Sequence, residues 1–210
     1  MADITVVHLL RHGEVHNPDH VLYGRLPGYH LSANGRMMAA AAADYFEGRP
    51  VAAIFASPLE RAQETAQPVA EKLGLPIITD DRLIESGNVL EGKSVSLASL
   101  GRNPRNWRYL WNPFRPSWGE PYSHIVARMR QVVDRARDAS GGREAVCVSH
   151  QLPIWVSRLA AEHRRLWHNP SSRQCALGSV TSLTFDGDQL TGVSYAVPPR
   201  QQVADADRAQ

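Results

Sequence analysis

The chain has 210 residues, two cysteines and a formal net charge of +2. That length fits one domain with an ample core, and so small a charge gives no reason to expect nucleic acid or a membrane surface as a partner. It has no apolar run long enough to span a bilayer, no secretory signal at the N-terminus and too few cysteines for a disulfide framework, so a cytoplasmic protein with reduced thiols is expected.

Residues 4–10 are apolar and β-branched and predict a buried strand, which ends in Arg11-His12-Gly13-Glu14. In a parallel α/β sheet, ligands bind beyond the C-terminal ends of the strands. Arg11 and His12 are therefore expected at the rim of a crevice, with Gly13 letting the backbone turn away sharply. Residues 21–33 read as a loop containing Gly24, Pro27 and Gly28, and Ser32 as the cap of an Ala-rich helix ending near Gly48. A second apolar strand, 51–56, runs into Ser57-Pro58-Leu59-Glu60-Arg61. This reads as an N-cap serine, a first-turn proline and a capping-box glutamate, holding Arg61 in the first turn of a helix over 58–73. A short strand over 75–79 follows Gly74, and a long helix is predicted over 121–139. The apolar run 145–149 ends at His150, and another helix follows it. Residues 180–185 and 190–197 alternate around Asp186-Gly187-Asp188 and predict an antiparallel hairpin at one edge of the sheet. The expected fold is α/β, a three-layer α/β/α sandwich around a mostly parallel mixed sheet. Residues 1–197 form its single domain, and the polar stretch 198–210 is expected to be a disordered tail.

If the three strands are parallel neighbours, Arg11, His12, Arg61 and His150 converge on one pocket. Taken singly, each has a plain structural reading as a hydrogen-bonded histidine or a solvated arginine. Together they suit a phosphomonoester dianion, which needs concentrated positive charge in a rigid geometry. His8, His12, His16 and His20 are spaced four apart, as a metal-binding helix face would be. Gly13 and Pro18 oppose a helix there, so His8 is expected to be a buried, hydrogen-bonded histidine and no metal site is expected.

The same set resembles the histidine phosphatase superfamily, which includes the cofactor-dependent phosphoglycerate mutases. Arg11-His12-Gly13 matches its phosphate signature, and Ser57-Pro58-Leu59-Glu60-Arg61-Ala62-Gln63-Glu64-Thr65-Ala66 its second-arginine segment. Ser149-His150 matches the second-histidine segment, and Asn17 the asparagine that often follows the first motif. Arg82-Leu83-Ile84-Glu85, followed by Glu91-Gly92, is similar to the segment that carries the acid. The likeness covers roughly residues 4–196. It implies a phosphoglycerate-mutase-like fold and a reaction needing no metal or cofactor. His12 attacks phosphorus as a neutral imidazole, its protonated form disfavoured by Arg11 and Arg61. Arg11, Arg61 and a cationic or donor His150 clamp the phosphate. Glu85, with Glu14 and Glu91 as competitors, protonates the leaving group and then activates water. Asn17, Gly24 and Gln151 are further expected contacts to phosphate or substrate.

The segment 86–124 holds Trp107, Tyr109, Trp111, Phe114 and Trp118 among Arg102, Arg105, Arg108 and Arg115. In the resembling family this region covers the active site. Here it is read as a lid and specificity segment, most of its aromatic residues packing a small satellite core. Gln151-Leu152-Pro153 stands where a glycine pair is common, Gly119-Glu120-Pro121 replaces Gly-Glu-Ser, and Asn88 and Val89 replace a tyrosine-glycine region. The mutases' long insertion is missing, and Lys93 does not match their substrate lysine. The expected protein is a phosphatase acting on a small phosphomonoester. A phosphoglycerate-mutase-type isomerase and a non-catalytic phosphate-binding protein are the alternatives. The sequence leaves the substrate open, and the oligomeric state too, a dimer included.

Overall fold

The computed structural model describes residues 4–88, 91–92 and 119–199. Expectations for Val89, Lys93, the 102–118 aromatic and arginine run and the 200–210 tail lie outside the described residues.

Strand β1 (Ile4–Arg11) sits inside a six-stranded mixed sheet. Helix α1 (Ala33–Phe46) leads to β2 (Val51–Ala56), and α2 (Glu60–Leu73) leads to β3 (Ile77–Thr79). Helix α3 (Tyr122–Ser140) precedes β4 (Glu144–Ser149), and α4 (Gln151–Ala161) precedes the hairpin β5 (Val180–Asp186) and β6 (Gln189–Ala196). The sheet order is β3-β2-β4-β1-β5-β6. The first four strands pair in parallel, whereas β1–β5 and β5–β6 are antiparallel.

The central strands read as unbroken apolar runs because both sheet faces are covered. Alternate residues still choose sides. Val7 and Leu9 of β1, Phe55 of β2 and Cys147 of β4 pack with Ile125, Met129 and Val132 of α3 and Ile154 of α4. Leu10, Ile54, Val146 and Val148 pack instead with Ala42 and Phe46 of α1 and Ala62, Ala66 and Val69 of α2. This makes the expected three layers. No described helix is long and apolar enough to cross a membrane.

His8 points into the second of these layers, edge-on to Phe46. Its Nδ1 lies 2.8 Å from Ser182 Oγ and its Nε2 3.0 Å from Glu144 Oε2. Both ring nitrogens are matched, which is what a fully buried imidazole requires. It is a core histidine, as expected.

Two local expectations need correction. Ser32 does cap α1, accepting from Gly35 N–H at 3.0 Å. Ser57 does not cap α2, which begins two residues beyond Pro58 with Leu59 at the cap position and no side-chain cap bond. The Glu60 carboxylate accepts instead from Gly28 N–H at 3.0 Å, so no capping box forms. Gly13 is required for its missing Cβ, as expected, and not for a positive φ, which it does not have. It is needed because α1 lies against it: a Cβ there would come 2.5 Å from Gly35 O, and one on Gly35 would come 2.0 Å from Glu14 O. Backbone cannot move away as a flexible side chain could. Gly13→Ala is therefore expected to destabilise the fold by about 1–3 kcal/mol, read as a lower urea midpoint at unchanged slope.

Candidate active site

Because β2, β4 and β1 are parallel neighbours, their C-terminal ends lie side by side and the ladder continues past them. Ser57 N–H donates to Val148 O at 3.0 Å, and His12 N–H to Ser149 O at 3.1 Å. The His12 and His150 rings end up with their centroids 5.1 Å apart. Strand β5 is antiparallel, so its beginning reaches the same edge. Arg11 N–H donates to Ser179 O at 2.9 Å, and Gly178 N–H to His12 O at 3.3 Å. The loop before β5 is thus brought to the rim as well.

His12 is 2% exposed. Its Nδ1 lies 2.8 Å from Gly13 O. A carbonyl only accepts, so Nδ1 carries the proton and Nε2 keeps its lone pair. Burial is the main reason the ring stays well below the ordinary imidazole range, and Arg11 and Arg61 push the same way. The expected effect of the arginines is present but secondary. Thr65 fixes the backbone beneath the ring, its hydroxyl accepting from Gly13 N–H at 3.0 Å while donating to Arg61 O at 2.6 Å.

His150 is also held neutral, by burial first and then by His12, Arg61 and Arg11. Of the two expected forms, cationic or donor, burial favours the neutral donor. Its Nε2 sits 2.8 Å from Ser57 Oγ, which is also 3.4 Å from Leu59 N–H. When Ser57 donates to Nε2, the ring proton resides on Nδ1, the tautomer in which that nitrogen can serve as a donor. That nitrogen is buried without a partner among the described residues.

The two arginines share this property. Arg11 Nη1 donates to Cys175 O at 2.6 Å, and its buried Nε has no partner among the described residues. Arg61 is fully buried, donates through Nη2 to Gly24 O at 2.6 Å, and lies 4.8 Å from the centre of the Tyr23 ring. Its Nε and Nη1 are unpartnered among the described residues. A buried guanidinium without a carboxylate is costly to fold, and unpaired buried donors are rare enough to need an explanation. Four such atoms, on two arginines whose charges act on His12 and on the histidine whose ring lies beside it, are complementary to an anion with several acceptor oxygens.

Above them opens a cavity of about 300 Å³. Of the expected site residues, Arg11, His12, Gly24, Glu85 and Gln151 line it, and Arg61 and His150 lie buried beside it. Glu85 accepts from Ser86 N–H at 2.8 Å. Burial raises its carboxyl above the usual range, opposed by that bond and by Arg61, Arg11 and Arg173. Its competitors do not line the cavity. Glu14 holds Ser32 Oγ and Asn34 Nδ2, and Glu91 holds Asn88 N–H. Asn17 is not brought to the cavity lining: it accepts from Val21 N–H at 3.0 Å and donates to Val21 O at 2.9 Å, closing its own loop. Gly24 contributes a carbonyl, an acceptor that anchors Arg61. Pro153 does not disturb α4, which starts at Gln151, because the first N–H groups of a helix lack intrahelical partners; it does remove one of the free N–H groups that this helix end could offer an anion.

The sequence reading missed three contributors. Ser57 was assigned to the wrong task, Tyr23 covers Arg61, and Arg173 from the loop before β5 lines the cavity.

The model of the histidine phosphatase superfamily (branch 1) matches residues 7–198. The chain belongs to the histidine phosphatase superfamily. The uncharacterized protein Rv0525 of Mycobacterium tuberculosis is 56% identical over 199 residues, spanning 94% of this chain and 98% of its own length. Among solved structures, Bacillus stearothermophilus YhfR superposes with a TM-score of 0.77 at 28% identity, covering 89% of this chain and 94% of that one. The mycobacterial glucosyl-3-phosphoglycerate phosphatase Rv2419c superposes with a TM-score of 0.74 at 25% identity, covering 92% and 98%. The mixed six-stranded sheet is thus the fold of this superfamily's phosphatases.

Proposed function

We propose that the protein is a metal-independent phosphatase that hydrolyses a small phosphomonoester through a phosphohistidine on His12. One observation carries this reading: Arg11, Arg61 and His150, each with a buried nitrogen that has no partner among the described residues, act on or lie beside a histidine whose Nδ1 is tied to Gly13 O. The superfamily membership and the likeness to a sugar-phosphoglycerate phosphatase support it. His12 Nε2 attacks phosphorus in line, and the N–P bond forms as the ester P–O bond breaks. Glu85 gives its proton to the leaving alkoxide. Water then attacks phosphorus, Glu85 takes a proton from it, and the N–P bond breaks to release phosphate. Arg11 and Arg61 neutralise the charge on the equatorial oxygens. Residues 1–197 act as the catalytic unit. Cys147 and Cys175 are buried, with burial raising the Cys175 thiol to about 11, and we place the protein in the cytoplasm because two cysteines are too few for a disulfide framework.

The pH profile follows from the two buried groups. His12 must be neutral, and its lowered pKa keeps it so well below the ordinary imidazole value of about 6.5. Glu85 must be protonated to serve an alkoxide, and its raised pKa extends that form upward from the carboxylate range. Activity toward alkyl phosphates should peak on the acid side of neutrality and fall as Glu85 ionises. Glu85→Gln is expected to slow alkyl phosphates by about 10²–10⁴-fold. Aryl phosphates, whose leaving groups need less protonation, should lose less in the phosphorylation step. Equal losses for both would remove Glu85 from the acid role.

Phosphate release from an aryl phosphate and a panel of metabolite phosphates, with and without chelator, tests the whole reading. Chelator-resistant release supports it. Chelator-sensitive release contradicts metal independence. Isomerisation that requires a bisphosphorylated primer, without net release, would favour the mutase.

A further inference from the structure

The cavity holds one more cation than a single phosphate explains. Arg173 lines it together with Arg11 and Glu85. Its position is built rather than incidental. Arg173 Nε donates to His168 Nε2 at 2.8 Å, and Nη1 lies 3.4 Å from Gln151 Oε1. His168 is itself fixed: its Nδ1–H donates to Leu166 O at 2.7 Å, and its ring stacks on Tyr122 and meets Trp155 edge-on. That bond puts the ring proton on Nδ1 and leaves Nε2 as the acceptor that Arg173 needs. Burial and the nearby Arg173 both keep the imidazole neutral.

Among the described residues, the neighbouring cations Arg25 and Arg128 are already matched. Arg25 donates to Glu120 Oε2 and Glu85 O, and Arg128 donates to both Glu120 oxygens. Arg173 forms no ion pair with a carboxylate among the described residues. It faces Arg11 as a like charge, with Glu85 as the nearby acid. Arg11 and Arg61 together match a phosphate dianion, so Arg173 is the surplus charge. Its Nη end has hydrogens to offer, and a guanidinium binds a carboxylate or phosphate with two parallel bonds.

We infer that Arg173 is a specificity-determining residue: it recognises a second anionic group on the leaving-group side of the phosphomonoester, a carboxylate or a second phosphate. This deepens the phosphatase reading and rests on it for the placement of the first phosphate. The substrate class is then a phosphorylated acid or a bisphosphate rather than a neutral sugar or alcohol phosphate.

Two matched pairs of probes read this directly. 3-Phosphoglycerate and glycerol 3-phosphate differ by a carboxylate, and fructose 1,6-bisphosphate and fructose 6-phosphate by a phosphate. Affinities are measured by calorimetry on a His12→Ala background, where nothing is turned over, and kcat/KM is measured on the active chain. The member bearing the second anionic group should bind better in at least one pair. Arg173→Gln should shrink that preference by about 10–100-fold, the size of a charge-assisted pair. Arg173→Lys, which keeps the charge but loses the fork, should retain part of it. Using a ratio removes any general loss of activity or folded protein. No preference in the parent, or a preference that survives Arg173→Gln, overturns the inference. A ratio that collapses in a protein unable to hydrolyse even an aryl phosphate would uphold the Arg173 assignment and reject the phosphatase reading.

Discussion

Replacing His12 with alanine removes phosphate release while the protein still binds inorganic phosphate weakly. The expected loss of kcat is at least ~10⁴-fold, since no other group can accept the phosphoryl in its place. The argument is geometric. Nδ1 is tied to Gly13 O at 2.8 Å, which fixes the ring and leaves Nε2 as the free base. Burial keeps that base unprotonated, so His12 needs no partner to activate it. The anion-binding donors belong to Arg11, Arg61 and His150 and survive the substitution. Rates with an aryl phosphate, together with a calorimetric phosphate titration, separate the two effects. Wild-type rates in the variant would remove His12 as the nucleophile.

Arg61→Ala should lower kcat/KM by at least ~100-fold, with both binding and transfer affected. Arg61 presents its Nε and Nη1 without partners among the described residues, while Nη2 is anchored on Gly24 O and the guanidinium is covered by Tyr23. The residue is thus held in place while most of its hydrogen-bonding capacity is left for substrate. Its buried charge forms no ion pair with a carboxylate among the described residues, Glu85, Glu60 and Glu91 acting on it only at longer range, so the fold gains little from it. The loss should appear in steady-state kinetics far more than in the unfolding midpoint. The acid limb of the pH profile should move only slightly, because burial, not Arg61, is the main depressor of His12. A large shift of that limb would show that the arginine controls the nucleophile's protonation.

The central site was legible in the sequence because it depends on parallel strands. Three apolar runs, each ending in Arg11-His12, Ser57 or His150, placed those residues at one edge once the sheet was assumed parallel, and β2-β4-β1 are indeed adjacent. Arg173 was not legible for the mirror-image reason. A strand running the other way contributes its beginning to that edge, and the loop before β5 has no motif of its own. The predicted hairpin implied the reversal without showing which residue it would bring. Ser57 misled because a serine before a proline and a glutamate satisfies the local capping pattern. The tertiary structure gives its hydroxyl to His150 instead. Gly13 was singled out correctly for its missing Cβ, but the neighbour that requires it, Gly35 O, was not legible, since that contact belongs to packing between distant segments. Asn17 shows the opposite case, a motif match whose amide serves its own loop.

The most direct test is to trap the phosphoryl group itself. The protein is mixed briefly with an aryl phosphate, quenched under denaturing alkaline conditions that preserve phosphohistidine, and digested for mass spectrometry. A phosphoryl group on His12, lost on acid treatment and absent in His12→Ala, is the predicted result. Ongoing phosphate release with no phosphoenzyme, or a phosphoryl group on any other residue, would contradict the account.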